Sequence, residues 1–429
     1  MVPNGGISMQ VNELLTFIKE STSPYHTVAA AEKMLKAADF SELVWGEDWK
    51  LEAGGAYYTR VFGSALMAFR VGKADGLLRI AAAHTDFPGF RVKPAPEMTE
   101  AGCVMLNVEP YGGLIRSSWP DRPLSIAGSV ALRGRDAFHP ETRLVDFEKP
   151  LLTIPRIAIH MNRKVNEGET LNTQTELLPL ASLAGEGIPE EFFKEQLVEK
   201  LDCNAEDIFS YDMVVYTCEE PCTLGFNDEF ISAPRLDNLT SVKACMDAII
   251  AVGTEDGIAV AALFDNEEVG SRTKQGANSA VLEVLLKKIY TVLGKEAELE
   301  KAIAQGFLLS VDVAHGLHPN YKGKADPTNR PMLGEGFVIK QAASQAYVGD
   351  AEAQAIVMAL ADEAFAPYQT YVNRSDIPGG STLGSLVSAN LCMRGQDIGV
   401  PMLAMHSARE LMAATDQEAL TDVITKFFT

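Results

Sequence analysis

Residues 77–86, LLRIAAAHTD, carry the reading that decides the fold: an apolar run of strand length ends abruptly in a histidine and an aspartate. The design recurs in GIAVAALFDNEE (257–268), GFLLSVDVAH (306–315) and GVPMLAMHSARE (399–410). Short continuous apolar runs bounded by polar residues suit strands buried on both faces. In open α/β sheets, ligands bind beyond the carboxyl ends of parallel strands. Four such ends are therefore expected to deliver His84, Asp86, Glu267, Glu268, Asp312, His315 and His406 to one crevice. Asp237, in RLDNLTS (235–241), precedes a predicted helix and adds a fifth contribution.

Outward from these runs, amphipathic stretches at 11–19 and 29–37, and later SVKACMDAIIAV, SAVLEVLLKKIYTVL and AEAQAIVMALADEAF, read as helices alternating with strands. That alternation defines an α/β class, with a central mixed or parallel sheet and helices on both faces. Between roughly Phe90 and Leu224 the chain is richer in Pro, Gly and short β-like runs such as LSIAGSVALRG and LLTIPRIAIH. An inserted, mostly β domain is expected at 91–224, interrupting a catalytic domain formed by 1–90 and 225–429. A length of 429 residues suits such a two-part plan.

Composition narrows the function. A formal charge of -21 repels phosphate backbones and anionic lipid heads, so neither nucleic acid nor a membrane surface is an expected partner. No apolar run approaches the ~20 residues of a membrane helix, and the amino terminus lacks the pattern of a secretory signal. The residues before Met9 read as an unstructured leader. Six scattered cysteines fit free thiols in a reducing compartment, and a cytoplasmic location is expected. Cys218 and Cys222 have no second pair to complete a structural zinc site.

Imidazole nitrogen and carboxylate oxygen without thiolate is the donor set of catalytic zinc, cobalt or manganese. Two divalent ions would fit, with Asp237 as the candidate bridge between them. Adjacent side chains point differently, so of Glu267 and Glu268 one can ligate while the other serves as general base. Sequence alone does not order them; Glu267 is taken as base and Glu268 as ligand. Asp86, two residues past His84, is placed to accept the imidazole's other N–H. Singly, each of these residues is more often a cap, a turn former or a surface group; the convergence of several favours a metal site.

The motifs AAHTDFPGF, PRLDNLTS, FDNEEVGS with QGA following, SVDVAHGLHPNY, GGSTLG and MHSARE resemble the aspartyl aminopeptidase group of metallopeptidases, peptidase family M18. The resemblance runs from SPYHTV to HSARE, in family order. It implies His84, Asp237 and Asp312 around one metal, and Asp237, Glu268 and His406 around the other, with Glu267 as acid/base. It further implies substrate contacts at His160, His315, Lys340 and Tyr347, with direct metal ligation by His160 the lesser reading. A homo-oligomer, a dodecamer built from dimers through the inserted domain, is implied as well, with His160 reaching a neighbouring subunit's site. The expected reaction is release of an N-terminal residue from peptides, preferring Asp or Glu. The competing readings are a neutral-residue aminopeptidase on the same scaffold and a non-catalytic peptide-binding or assembly protein. In RSDIPGGSTLG the run before the STxG turn is more glycine-rich than is usual in the family. Gly379 stands where another residue is common, in a region that lines the substrate side.

Overall fold

The computed structural model describes residues 9–185 and 191–429; the expected leader before Met9 lies outside them. Two compact units emerge. One takes the chain up to Asp86, Pro221–Met405 and Glu410–Thr429; the other takes Phe87–Glu220 and His406–Arg409.

The first unit is built on a nine-stranded mixed sheet. In spatial order its strands are Ser41–Glu42, Ala56–Val61, Ala65–Val71, Asp256–Phe264, Ala74–His84, Phe307–Val311, Gly395–Gly399, Phe337–Gln341 and Tyr368–Val372. The middle strands Asp256–Phe264, Ala74–His84, Phe307–Val311 and Gly395–Gly399 are mutually parallel. Alternation along Ala74–His84 sends Ala81 and Ala83 into one apolar layer and Leu78, Ile80 and Ala82 into the other. The first layer is closed by helices Met9–Glu20, Pro24–Ala37, Leu236–Ala251, Ala351–Ala364 and Ala414–Phe428, the second by Val281–Val292 and Leu383–Leu391. Strands with an apolar side on both faces are thus covered on both, as a parallel sheet requires.

Local sequence sets the helix starts. Ser23 accepts the His26 backbone N–H ahead of Pro24, whose missing N–H costs nothing in a first turn. Asp350 accepts from Ala353 N–H in the same way.

The second unit carries a six-stranded antiparallel sheet in the order His139–Asp146, Leu124–Asp136, Ile208–Thr217, Gly89–Glu100, Cys103–Tyr111 and Leu180–Leu183. Its core gathers Phe90, Leu106, Trp119, Ile126, Val130 and Met213 with Phe193 and Leu197 of helix Phe192–Leu201.

Two sequence expectations need correction. GVPMLAMHSARE is not one strand of the large sheet. Its Gly399 ends a strand there, while Pro401–Leu403 joins a separate five-stranded sheet with Cys222–Leu224, Phe230–Ala233, Glu410–Ala413 and Ala314–His315. A Cβ on Gly399 would stand 1.8 Å from the Asp312 carbonyl oxygen, so glycine lets the backbones meet there. The next strand opens on Pro401, which has no N–H for a central ladder. LLTIPRIAIH also falls short of a strand: Leu152 and Thr153 make isolated bridges, and the chain from Pro155 is irregular.

The last helix is anchored by a carboxylate in its first turn. Asp416 accepts the Gly334 and Gly336 N–H groups, one on each oxygen, both at 2.8 Å. Burial pushes its carboxyl up to about 6, against those two bonds. Asp416→Asn turns one acceptor into a donor facing a donor, and is expected to cost about 1–3 kcal/mol, read as a lower urea midpoint.

Candidate metal centre

Three neighbouring parallel strands of the first unit aim their carboxyl ends at one place. Ser310 is opposite Ala82 in the ladder between Phe307–Val311 and Ala74–His84. Two residues further along each strand, Asp312 and His84 leave the sheet on the same side, because strand side chains repeat every second residue. On the other flank Phe264 is opposite His84, and the chain turns through Asn266, at φ +63°, into the short 3-10 turn Glu267–Val269. Asp237 arrives from another direction. It sits at the head of Leu236–Ala251 with non-helical dihedrals, after Arg235 in a left-handed conformation, and is joined to Asn238 by a cis peptide bond.

His84 Nε2 stands 3.5 Å from Asp237 Oδ1 and 3.6 Å from Asp312 Oδ1. Ligand atoms of His84, Asp237 and Asp312 all fall within 4.8 Å of one another, as do those of His84, Glu267 and Glu268. His84, Asp237 and Asp312 are buried; Glu267 and Glu268 are half-buried. Two donors each about 2.0–2.1 Å from a tetrahedral zinc lie about 3.4 Å apart. The His84 contacts are therefore long for hydrogen bonds and right for groups sharing an ion. Carboxylates crowded around one imidazole also hold excess negative charge that a cation offsets. The residues present fit the metal.

The protonation pattern agrees. His84 Nδ1 lies 3.0 Å from the Asp86 carbonyl oxygen, which can only accept. Nδ1 therefore carries the proton and Nε2 the lone pair that faces Asp237 and Asp312. Burial disfavours the imidazolium, yet Asp237, Asp312 and Asp86 outweigh it and hold His84 well above its ordinary value, so a binding cation would displace the Nε2 proton to gain that lone pair. Burial likewise pushes the Glu267 carboxyl up to about 8, with Asp312, Asp86 and Asp237 adding to the effect and His84 opposing it.

Asp86 does more than sequence reasoning assigned to it. Its main-chain oxygen makes the closer contact to the ring, with Oδ1 at 3.3 Å. Its carboxylate also accepts the Glu267 N–H (3.1 Å) on one oxygen and the Glu268 N–H (3.2 Å) on the other. One buried aspartate thus orients three residues of the centre.

Lys340 is buried rather than solvated. Its ammonium donates to the Val313 carbonyl at 3.0 Å, stands 3.8 Å from Asp312 Oδ2, and lies 4.9 Å from the ring centre of buried Tyr347. Burial works against the charged form, but Asp312 and Asp397 prevail and keep its pKa above the ordinary value. His315 is exposed, its ring 5.8 Å from that of Tyr371. His406 belongs to the second unit, where Nδ1 is 3.1 Å from the Gly113 carbonyl, again leaving Nε2 as the lone-pair nitrogen. His160, in the same unit, is exposed in the irregular segment after Pro155. A Cβ at Gly379 would sit 2.1 Å from Asn373 Nδ2, and Asn373 accepts the Tyr371 hydroxyl, so that glycine makes room for a neighbour of the site.

Sequence reasoning missed three residues. Glu410 accepts the Asp237 N–H at 3.0 Å, and the Asn238 side-chain amide donates to the Val311 carbonyl at 2.9 Å; together they fix the bend that presents Asp237. Asp397 is fully buried and is one of the carboxylates that hold the Lys340 charge. The available signal was an acidic residue inside an apolar strand, ELMA for Glu410 and GQDIG for Asp397.

A histidine–carboxylate cluster able to hold a metal, at the carboxyl ends of parallel strands in a mixed α/β sheet, fits the class of metal-dependent hydrolases. The match to the family model for aminopeptidase I zinc metalloproteases (M18), over residues 17–428, places this chain in that family of metalloaminopeptidases. A probable M18 family aminopeptidase 2 of Clostridium novyi is 42% identical over 424 residues, covering 97% of this chain and 98% of that one. Among solved structures, the Ape4 and Nbr1 complex, determined by cryo-EM, matches with a TM-score of 0.94 at 32% identity, over 98% of this chain and 85% of that one. The S. cerevisiae mApe1 dodecamer shares the fold at a TM-score of 0.82 and 23% identity, over 97% of this chain and 96% of that one.

Asp86→Asn leaves one of two backbone N–H groups facing a donor. Zinc affinity, measured by competition with a chromophoric chelator, is expected to fall about 10–100-fold while the circular dichroism spectrum is unchanged.

Proposed function

We propose that this metalloaminopeptidase releases single amino acids from peptide amino termini, preferring Asp and Glu, by water activated between two divalent metal ions, with Glu267 as general base. The reading rests chiefly on the convergence of His84, Asp237, Asp312, Glu267 and Glu268 on one point from separate segments.

In this reading His84, Asp237 and Asp312 would hold one ion, and Asp237, Glu268 and His406 would hold a second. Zinc is the metal the family model names; cobalt and manganese suit the same donors. Bound zinc supplies a Lewis acid for the scissile carbonyl and a lowered pKa for the attacking water. Glu267 takes the water proton on its carboxylate as the water oxygen bonds the scissile carbonyl carbon; the C–N bond then breaks and the same carboxyl gives that proton to the departing peptide amine. Asp86 holds the turn that aims Glu267 and Glu268.

The substrate contacts are His160, His315, Lys340 and Tyr347, with Lys340 supplying positive charge near a substrate carboxylate. Against a whole-chain charge of -21, that attraction has to act within the ~8 Å screening length. Direct metal ligation by His160 remains the lesser role for that residue. A neutral-residue aminopeptidase is the competing reading, favoured by the pairing of Lys340 with Asp312.

A homo-oligomer, a dodecamer assembled from dimers through the inserted domain, completes the picture. Exposed Ile157, Ile159 and Met161 around His160 form an apolar strip suited to contact with another copy, and the mApe1 relative is a dodecamer. None of the six cysteines is in a disulfide, which suits the cytoplasm. No described helix is long and apolar enough to cross a membrane, and peptide, rather than nucleic acid or lipid, is the expected partner.

Two experiments test this. Glu267→Gln is expected to lower kcat by about 10²–10⁴-fold with bound zinc unchanged by metal analysis; undiminished turnover overturns the base. Chelator-stripped protein, reloaded with zinc, cobalt or manganese, is expected to recover cleavage of peptides beginning with Asp or Glu ahead of Leu, Ala or Lys. Recovery led by Leu or Ala would keep the mechanism and replace the specificity.

A further inference from the structure

The GGSTLG turn (379–384) contributes no metal ligand and lacks the following lysine of a phosphate loop, yet it packs closely behind the site. Its Thr382 hydroxyl donates to Asp397 Oδ2 at 2.9 Å, and its Thr382 N–H donates to the Ala346 carbonyl at 3.1 Å. A Cβ on Gly384 would fall 2.4 Å from Ser310 Cβ and 2.7 Å from Val348 Cγ1, so glycine is what allows the turn to sit there. Asp397 has no solvent exposure. Besides Thr382 it accepts the Ser310 hydroxyl on Oδ1 and the Val348 N–H on Oδ2. One carboxylate therefore fastens three segments that are far apart in sequence. Ser310 lies two residues before Asp312, and Val348 directly follows Tyr347. Its neighbour Gln396 donates to the Lys340 carbonyl at 2.7 Å.

A buried carboxylate that accepts several hydrogen bonds and has a lysine nearby is expensive to leave unmatched. Its position is consequently well determined, and so is that of whatever it holds. We propose that Asp397 is a positioning residue for the Lys340–Tyr347 wall: through Ser310, Val348 and Thr382 it sets where that wall stands relative to Asp312, and so tunes how tightly the first residue of the peptide is bound. The inference rests on the reading above that Lys340 and Tyr347 face substrate.

The test uses the full-length zinc-loaded enzyme, with Asp397→Asn and Thr382→Val as two independent ways of loosening the junction and Lys340→Met as the direct probe of the wall. For the peptide the wild type prefers, both junction variants are expected to raise KM about tenfold with kcat within about threefold, the pattern of lost binding common to ground and transition states. Zinc affinity is expected to stay within about threefold. A fall in kcat with KM unchanged, a loss of zinc, or no kinetic change in either variant overturns the proposal. If Lys340→Met leaves KM unaltered, the substrate-wall reading itself fails. If Lys340→Met raises KM while both junction variants match wild type, only the role of Asp397 fails.

Discussion

Crowded negative charge in a place with little water is the constraint on which this structure depends. Asp237 and Asp312 are buried with ligand atoms within 4.8 Å of His84, and Glu267, Glu268 and Asp86 stand close by. Two like charges about 4 Å apart repel by about 4 kcal/mol even at an effective dielectric constant of 20. Such a group persists only where a cation offsets the repulsion and the backbone is too well held to spread. The offset is the role the donor set assigns to zinc. The holding falls to Asp86, Glu410 and Asn238, each of which bonds main-chain atoms of or beside the clustered residues rather than the side-chain atoms that face one another.

The parallel middle of the large sheet makes the convergence possible. Register places His84 and Asp312 side by side, and the turn after Phe264 brings the glutamate pair alongside. Helices cover both faces, so the strands can be apolar on both sides and polar only at one tip. Fold and site share one sequence signal for that reason.

How far that signal could be read follows from its physics. LLRIAAAHTD, GIAVAALFDNEE and GFLLSVDVAH were legible as strands ending in donors, because apolar continuity and a sudden change of polarity both lie in a local window. GVPMLAMHSARE looked alike in that window. Its split between two sheets depends on the close approach of Gly399 to the Asp312 carbonyl, a contact between positions 87 apart in sequence. The same holds for Asp86, whose link to the Glu267 and Glu268 N–H groups spans 181 and 182 positions. Lys340 stood out only through the family resemblance, since nothing near it in sequence shows the Val313 carbonyl that accepts its hydrogen bond. Ligand types are written in the chain locally; the groups that orient them are written in tertiary contacts.

The position of the second unit in the chain bears on how the polypeptide emerges during synthesis. Strand Ala74–His84 is made before Phe87, yet both of its sheet neighbours, Asp256–Phe264 and Phe307–Val311, are made after Glu220. At about 5–20 residues per second, the ~170 residues separating His84 from its first neighbour take roughly 10–30 s to appear. For that interval an apolar strand waits with both hydrogen-bonding edges unpaired, the condition under which nascent chains associate wrongly. The antiparallel sheet of the second unit draws its strands from Gly89–Thr217, all available within the wait, and can fold first. Order of synthesis thus keeps His84, Asp237, Glu267, Glu268 and Asp312 from meeting until the chain has passed Asp312, well after every strand of the second unit's sheet has been made.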